Sequence, residues 1–213
     1  MIEIFVDYDG TITDQDGFDA LVRFVAGDGP WEAIEARLDR GEISVREALR
    51  EQAYFITLSL DEAAEVLHER VPFDRSFVDF VAWARAQEIP LTIVSSGVDE
   101  LIARALHRHG LADVPVVANR VERDAQGHWI MHFRDAVPNG TDKAALVRAA
   151  QERGARAVFI GDGRSDFDAA LVADVRFAKC GAGLARFLER EKVDFSTFSS
   201  FHEILAQLAP VCR

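Results

Sequence analysis

Short runs of apolar residues recur along the chain, and each run ends abruptly in small or acidic residues. Four of these runs have the length and composition of buried strands: 2–6, 91–94, 114–118 and 157–160. Segments of helical period lie between and after them, for example 77–87, 98–109, 143–153 and 167–173. Continuous apolar strands that alternate with helices are typical of a parallel sheet covered on both faces. The sequence therefore predicts an α/β fold whose polar clusters meet at one carboxyl edge of the sheet.

The segment from residue 14 to residue 73 interrupts this alternation. It contains no convincing strand and is predicted to form four helices, at 17–25, 30–40, 45–57 and 60–70. Ser44 is a favourable N-cap for the third of these helices, and Gly41 is expected to end the second. We therefore predict a helical domain, 14–73, inserted into a sheet domain that comprises 1–13 and 74–213. Residues 119–133 are expected to form a hairpin.

The charge of the chain restricts the partners that we expect. The formal net charge is −12 over 213 residues, and the acidic residues are spread along the whole sequence. Such a surface disfavours nucleic acid and anionic membranes as partners. Two cysteines, Cys180 and Cys212, do not make a disulfide framework or a zinc site, and Cys180 is expected to be a buried free thiol. Acidic residues at positions 3, 7 and 9 do not resemble a signal peptide, so a cytoplasmic protein is expected.

The first apolar run leads directly into Asp7-Tyr8-Asp9-Gly10-Thr11. Side chains two positions apart in an extended segment point to the same side, so the carboxylates of Asp7 and Asp9 are expected to lie together. Like charges this close repel each other unless a cation joins them or one of them holds a proton. The pattern therefore predicts a metal-assisted site that contains an acid and a nucleophile.

Further polar residues are expected at the same edge of the sheet. The run 91–94 leads into Ser95-Ser96-Gly97, where a hydroxyl and backbone amides can receive phosphate oxygens. The run 157–160 leads into a turn with Asp162 and Asp166, whose carboxylates are hard oxygen ligands suited to Mg²⁺. Lys143, at the start of a predicted helix, can supply a positive charge.

Taken in order, these motifs resemble the haloacid dehalogenase superfamily of phosphotransferases over the whole chain. Its first motif, DxDGT, is matched by residues 7–11, and its second by Ser95. Its third motif is matched by Lys143, and its fourth by Gly161-Asp162-Gly163 with Asp166. The resemblance implies a Rossmann-like, three-layer core with a parallel sheet. It also implies a small, all-helical cap inserted between the first and second motifs.

The resemblance further implies a Mg²⁺-dependent phosphatase that acts on a small phosphorylated metabolite. Asp7 would be the nucleophile that forms a phosphoaspartyl intermediate, and Asp9 would be the general acid and base. The implied metal site consists of Asp7, Asp9 through its backbone carbonyl, Asp162 and Asp166. The implied phosphate site consists of Ser95, Ser96, Gly97 and Lys143.

The helical insertion resembles the cap of the phosphoserine-phosphatase-like branch of this superfamily. In that branch a cap arginine binds the substrate carboxylate and a glutamate follows the first motif. Here Arg50 matches the arginine, and Asp16, shorter by a methylene, stands at the glutamate position. Other segments look closer to another member of the branch, which acts on a keto-pentenyl phosphate of methionine salvage, so both substrates stay open. Two alternatives to hydrolysis also stay open. One is phosphoryl transfer to an acceptor other than water, and the other is a phosphorylatable receiver or regulatory relative without turnover.

Overall fold

The computed structural model describes residues 1–208 of the chain. Its seven strands are β1 (Ile2–Val6), β2 (Leu91–Val98), β3 (Val116–Arg123), β4 (Trp129–His132), β5 (Arg156–Gly161), β6 (Val175–Lys179) and β7 (Ser196–Phe198). They form one sheet in the order β4-β3-β2-β1-β5-β6-β7, in which β3 and β4 are antiparallel and all other neighbours are parallel. This sheet confirms the predicted α/β fold and places β1 at its centre.

Helices cover both faces of the sheet. The ten α-helices described are α1 (Gly17–Ala26), α2 (Asp28–Asp39), α3 (Val45–Phe55), α4 (Leu60–Arg70), α5 (Ser76–Ala86), α6 (Asp99–Arg108), α7 (Lys143–Glu152), α8 (Phe167–Val172), α9 (Gly183–Glu191) and α10 (Phe201–Leu208). On one face, residues of α5, α6 and α10 pack against β1 and β2, and on the other face α7, α8 and α9 pack against β5 and β6. The result is the three-layer arrangement that an apolar, mostly parallel sheet requires.

Helices α1 to α4 form the segment that was predicted as an insertion. Ser44 caps α3 in a capping box, because its side chain accepts from the Glu47 amide while the Glu47 carboxylate accepts from the Ser44 amide. The chain leaves and re-enters the sheet domain at adjacent points, since the Asp14 amide donates to the Pro72 carbonyl at 3.0 Å. We therefore keep 14–73 as the proposed boundaries of the cap.

The predicted hairpin is confirmed as β3 and β4, and it packs against the cap. Trp129 is 1% exposed and lies in a cluster with Phe18 and Leu49 of the cap helices. Its indole nitrogen donates to the Leu58 carbonyl at 2.7 Å, which ties the hairpin to the loop between α3 and α4. The edge strand of the sheet domain thus supports the inserted helices.

The expectation of a buried thiol at Cys180 is wrong. Cys180 is a free cysteine but is exposed, because it lies in the turn where the chain leaves β6. Cys212 lies outside the described residues. Within residues 1–208, no helix has the length and apolar composition needed to cross a membrane.

Candidate active site

The candidate site lies at the carboxyl edge of the sheet, where β1, β2 and β5 end side by side. Asp7 directly follows β1, and its amide donates to the carbonyl of Ile160 in β5 at 2.9 Å. Ser95 lies in the irregular end of β2, where the register shifts against β3, and Asp162 directly follows β5. Adjacent parallel strands therefore bring together residues that are far apart in the sequence.

A buried ion cluster anchors Asp7. The Lys143 ammonium donates to Asp7 Oδ1 at 2.6 Å and to Asp166 Oδ1 at 2.7 Å, and all three side chains are at most 5% exposed. It also donates to Ser165 Oγ at 3.1 Å, a contact that the sequence did not predict. Burial opposes the charge on Lys143, but the carboxylates of Asp166 and Asp7 raise its pKa, so the ammonium stays charged. Lys143 can therefore fix the orientation of Asp7.

The carboxyl groups of this edge hold protons more tightly than usual. Burial raises the pKa of Asp7 to about 8, and the charge of Asp166 adds to this rise while Lys143 opposes it. Burial, together with the charges of Asp7 and Asp166, also raises the pKa of Asp162 well above its ordinary value. The cause is a concentration of negative charge away from water, which a cation can relieve.

The contacts of Asp9 differ from those of Asp7. Its Oδ1 accepts from the Gly17 amide at 3.0 Å, and its Oδ2 accepts from Ser95 Oγ at 3.3 Å. Burial raises the pKa of Asp9 to about 7, and the nearby charge of Asp16 contributes to the rise. A carboxyl group with this pKa can donate and accept a proton near neutral pH.

Three aspartates provide a set of oxygen ligands that fits a hard cation. Ligand atoms from Asp7, Asp162 and Asp166 all lie within 4.8 Å of one another. Gly10 makes room for this cluster, because its φ is +73° and a Cβ there would lie 2.4 Å from Asp162 Oδ2. An all-oxygen set of this kind suits Mg²⁺.

Asp166 differs from the other two because both of its oxygens already accept hydrogen bonds from the protein. Its Oδ2 accepts from the amides of Asp162 and Gly163, each at 3.0 Å, and its Oδ1 accepts from Lys143. These bonds hold both the Asp162 turn and Lys143 in place. The role of Asp166 as a metal ligand therefore stays a prediction, and its contacts support a positioning role as well.

Three of the four predicted phosphate-binding residues line a cavity beside Asp7, and buried polar side chains hold their loop in place. The fourth, Lys143, is buried beneath Asp7 and does not border this cavity. Ser95, Ser96 and Gly97 border this cavity, and the Gly97 amide donates to Ser95 Oγ at 2.9 Å. Asn119 Nδ2 donates to the Ser96 carbonyl at 2.8 Å, and Thr141 Oγ1 donates to the Ser95 carbonyl at 2.8 Å. Neither side chain was predicted to hold this loop, and the Asn119 Oδ1 also accepts from the Arg134 amide at 3.0 Å.

The cap supplies the opposite wall of the cavity. Asp16 lies there as the N-cap of α1, where its Oδ1 accepts from the amides of Phe18 at 2.7 Å and Asp19 at 3.0 Å. Gln52 of α3 is 3% exposed, and its amide donates to Asp19 at 3.1 Å and to Glu35 at 3.2 Å. Asp19, Glu35 and Gln52 were not predicted from the sequence. They belong to α1, α2 and α3, and only the packing of these helices brings them together.

Arg50 is not brought to this cavity. It is exposed on the far side of α3, where its guanidinium lies over the Phe133 ring at 5.6 Å and borders a surface groove with Tyr54 and Trp129. Gln52, two residues later, faces the cavity, and two residues correspond to about 200° of rotation around a helix. Helix α3 was predicted correctly, but its Arg50 side chain lies outside the cavity.

We expect the stability of the metal-free protein to fall as the pH rises from about 4 to about 8. The folded pKa values of Asp7, about 8, and Asp9, about 7, lie above the ordinary value of 3.8, so the folded protein binds protons that the unfolded chain releases. The stabilisation from this proton uptake is complete below pH 3.8 and is lost as the pH rises through the folded values. Melting temperatures measured in EDTA should fall over this interval.

Mg²⁺ should raise the melting temperature by several degrees near pH 8 and by much less near pH 5. The reason is that the metal must compete with protons for Asp7 and Asp162. Asp162→Asn should remove most of the Mg²⁺ response, whereas Asp14→Asn, on an exposed carboxylate, should keep it. An equal Mg²⁺ response at both pH values would contradict this assignment of the ligands.

Known proteins are similar to this chain along most of its length. Residues 4–171 match the family model described as haloacid dehalogenase-like hydrolase. Pdp3-interacting factor 1 of Schizosaccharomyces pombe is 35% identical, over 94% of this chain and 92% of that protein. The polyol phosphate phosphatase PYP1 of Saccharomyces cerevisiae is 30% identical, over 98% and 92%. The 2-hydroxy-3-keto-5-methylthiopentenyl-1-phosphate phosphatase of Brevibacillus brevis is 30% identical, over 98% and 95%.

Solved structures share the fold. A substrate-bound phosphoserine phosphatase superposes with a TM-score of 0.76 at 18% identity, covering 97% of this chain and 98% of that one. A phospho-aspartyl intermediate analogue of phosphoserine phosphatase gives a TM-score of 0.75 at 18% identity, covering 97% and 99%. At this level of identity, the likeness concerns the arrangement of the sheet and its helices.

Proposed function

The chain belongs to the haloacid dehalogenase-like hydrolase family and is a phosphomonoester hydrolase, and we propose that it acts through a phosphoaspartyl intermediate on Asp7. The observation that carries this proposal is the pairing of two differently held carboxyl groups at one sheet edge. Asp7 is fixed by the Lys143 ammonium at 2.6 Å and lies with Asp162 and Asp166, where a cation would lower its raised pKa and leave it ionised for attack on phosphorus. Asp9 contacts Ser95 and Gly17 instead, and its pKa of about 7 suits it to move a proton.

In the first half-reaction, an oxygen of Asp7 forms a bond to phosphorus and the bond from phosphorus to the ester oxygen breaks. The protonated Asp9 gives its proton to the departing alkoxide, which leaves as an alcohol. Lys143 and the Ser95 loop hold Asp7 and the phosphate oxygens in line. Mg²⁺, held by Asp7, Asp162 and the Asp9 carbonyl, would supply positive charge that offsets the repulsion between carboxylate and phosphate.

In the second half-reaction, a water molecule attacks the phosphorus of the phosphoaspartyl group. Asp9, now deprotonated, takes a proton from that water, the bond between phosphorus and Asp7 breaks, and inorganic phosphate leaves. The cycle restores a carboxylate on Asp7 and a carboxylic acid on Asp9. A phosphorylatable receiver needs a long-lived phosphoaspartate, so the position of Asp9 beside the attacked group favours hydrolysis.

The substrate is proposed to be a small phosphorylated metabolite that fits between the sheet edge and the cap. Two of the three relatives are named as phosphatases, one of a polyol phosphate and the other of 2-hydroxy-3-keto-5-methylthiopentenyl 1-phosphate. Phosphoserine is a weaker candidate, because the arginine expected to bind its carboxylate, Arg50, lies outside the cavity.

Phosphate release from a panel of monoesters, with Mg²⁺ or with EDTA, tests the proposal. The panel contains p-nitrophenyl phosphate, polyol phosphates, the keto-pentenyl phosphate and phosphoserine. We expect Mg²⁺-dependent release from several members, and EDTA should reduce the rate by about 100-fold or more because the charge neutralisation is lost. Release that is undiminished by EDTA would contradict the metal requirement. A stable phosphoaspartate after treatment with acetyl phosphate, with no turnover, would instead indicate a receiver.

A further inference from the structure

We propose that the cap wall of the cavity selects phosphate esters whose leaving group carries hydrogen-bond donors without negative charge, such as hydroxyl groups, and rejects esters whose leaving group carries a second anion. Asp19, Glu35 and Gln52 are assigned as the residues that determine this specificity. The proposal rests on the proposed phosphatase function and names the substrate class of the same cavity.

The first observation is the charge of the cap side of the cavity. Beyond the aspartates at the sheet edge, the lining includes four more carboxylates, from Asp16, Asp19, Glu35 and Asp39. Among the residues that the structure describes, Arg164 is the cationic side chain in this lining. It donates to the Leu38 carbonyl at 2.6 Å and pairs with Asp39 at 2.9 Å, which leaves the charges of Asp16, Asp19 and Glu35 unbalanced in this lining. A carboxylate on the substrate would therefore meet a wall of net negative charge.

The second observation is the way in which Gln52 holds two of these carboxylates. Its buried amide nitrogen donates to one oxygen of Asp19 at 3.1 Å and to one oxygen of Glu35 at 3.2 Å. Burial raises the pKa of Asp19 to about 6 and also raises the pKa of Glu35, so Asp19 is ionised in assays carried out above that pH. An ionised carboxylate offers about four acceptor positions and no donor. Each carboxyl group thus keeps acceptor positions that hydroxyl groups of a leaving group can fill.

The third observation is the apolar surface beside these acceptors. Phe18, Val45 and Leu49 line the same cavity. A chain of carbon atoms with hydroxyl groups can place its C–H groups against these side chains and donate its O–H groups to the acids. A matched ester with a carboxylate would instead bring like charges together. At an effective dielectric constant of about 20, two like charges about 6 Å apart weaken binding by about 100-fold.

Two matched pairs of substrates test this selection on the wild-type protein. Glycerol 3-phosphate and 3-phosphoglycerate differ only in a terminal hydroxymethyl group or carboxylate, and we expect kcat/KM to favour glycerol 3-phosphate by about 100-fold. 2-Hydroxyethyl phosphate and phosphoethanolamine compare a hydroxyl group with an ammonium group. Because the wall is negative, we expect kcat/KM for phosphoethanolamine to equal or exceed that for 2-hydroxyethyl phosphate, and a clear preference against phosphoethanolamine overturns the proposal.

Glu35→Gln tests whether the cap wall causes the selection. We expect this variant to lower the preference for glycerol 3-phosphate over 3-phosphoglycerate by about 10-fold, since one negative charge is removed from the wall. Glu32→Gln makes the same chemical change on the exposed face of the same helix, and it should leave the ratio unchanged. Asp19→Asn provides a second variant of the wall if Glu35→Gln folds poorly. An unchanged ratio in both wall variants overturns the assignment.

p-Nitrophenyl phosphate separates this proposal from the one on which it rests. If the wild-type protein hydrolyses p-nitrophenyl phosphate but favours 3-phosphoglycerate, the phosphatase function holds and the specificity proposal fails. If it hydrolyses none of the esters with Mg²⁺ present, the phosphatase function itself fails.

Discussion

Replacement of Asp7 by asparagine is expected to reduce kcat for every phosphate ester by about 10,000-fold or more. The amide oxygen of asparagine is a poor nucleophile, and no other described carboxyl group is held by Lys143 in the same position at the end of β1. The effect should not depend on the leaving group, because every substrate must phosphorylate the same atom. Rates of phosphate release for glycerol 3-phosphate and p-nitrophenyl phosphate provide the measurement.

Asp14→Asn is the matched control for this prediction. Its side chain is 62% exposed and lies 3.8 Å from Lys179, outside the cavity, so turnover should stay near the wild-type rate. Mass spectrometry after rapid acid quenching should detect a phosphorylated peptide that contains residue 7 in the wild type and in Asp14→Asn only. Turnover retained by Asp7→Asn, with a normal circular dichroism spectrum, would exclude the phosphoaspartyl mechanism.

The residues of the sheet edge were predictable because the backbone alone places them. Asp7, Ser95 and Asp162 each follow or end an apolar strand, and neighbouring parallel strands end at the same edge. Lys143 was predictable only from its order among the motifs, since its long side chain reaches the site from the start of α7. For Asp7, Ser95 and Asp162, the distances between the side chains depend on strand pairing, which the apolar runs of the sequence predict well.

The cap wall was not predictable in the same way. Asp19, Glu35 and Gln52 belong to three different helices, α1, α2 and α3, and only the packing of those helices brings them within hydrogen-bonding distance. Each residue is polar and lies on an amphipathic helix, where a polar residue normally faces water. The burial of Gln52, at 3% exposure, separates it from that ordinary case, and burial depends on the tertiary structure.

The position of Arg50 likewise depends on how a cap helix packs, which the sequence pattern does not show. Its helix, α3, was predicted together with the N-cap Ser44, but the face that turns toward the cavity was not. That face carries Leu49 and Gln52, whereas Arg50 points to the hairpin and lies over Phe133. An error of one or two positions around a helix exchanges a cation for an amide, and thereby changes the class of substrate that the cavity favours.

Replacement of Asp9 by asparagine is expected to separate the two half-reactions by their need for a proton. With glycerol 3-phosphate, whose alkoxide must be protonated to leave, phosphorylation of Asp7 should slow by about 1,000-fold. With p-nitrophenyl phosphate, whose leaving group is stable as an anion, phosphorylation should slow by about 10-fold or less. Hydrolysis of the intermediate should slow for both substrates, because the base that accepts a proton from water is missing.

Stopped-flow measurement therefore has a distinct expected form for Asp9→Asn. p-Nitrophenol should appear in a rapid burst close to one equivalent per enzyme, followed by slow turnover, whereas glycerol 3-phosphate should give no phosphorylated enzyme on the same time scale. In the wild type, phosphorylation by glycerol 3-phosphate should slow as the pH rises above about 7, because Asp9, with its pKa of about 7, loses its proton. Phosphorylation by p-nitrophenyl phosphate should not follow this pH dependence. An equal loss of phosphorylation rate for both esters in Asp9→Asn would show that Asp9 positions the site rather than protonating the leaving group.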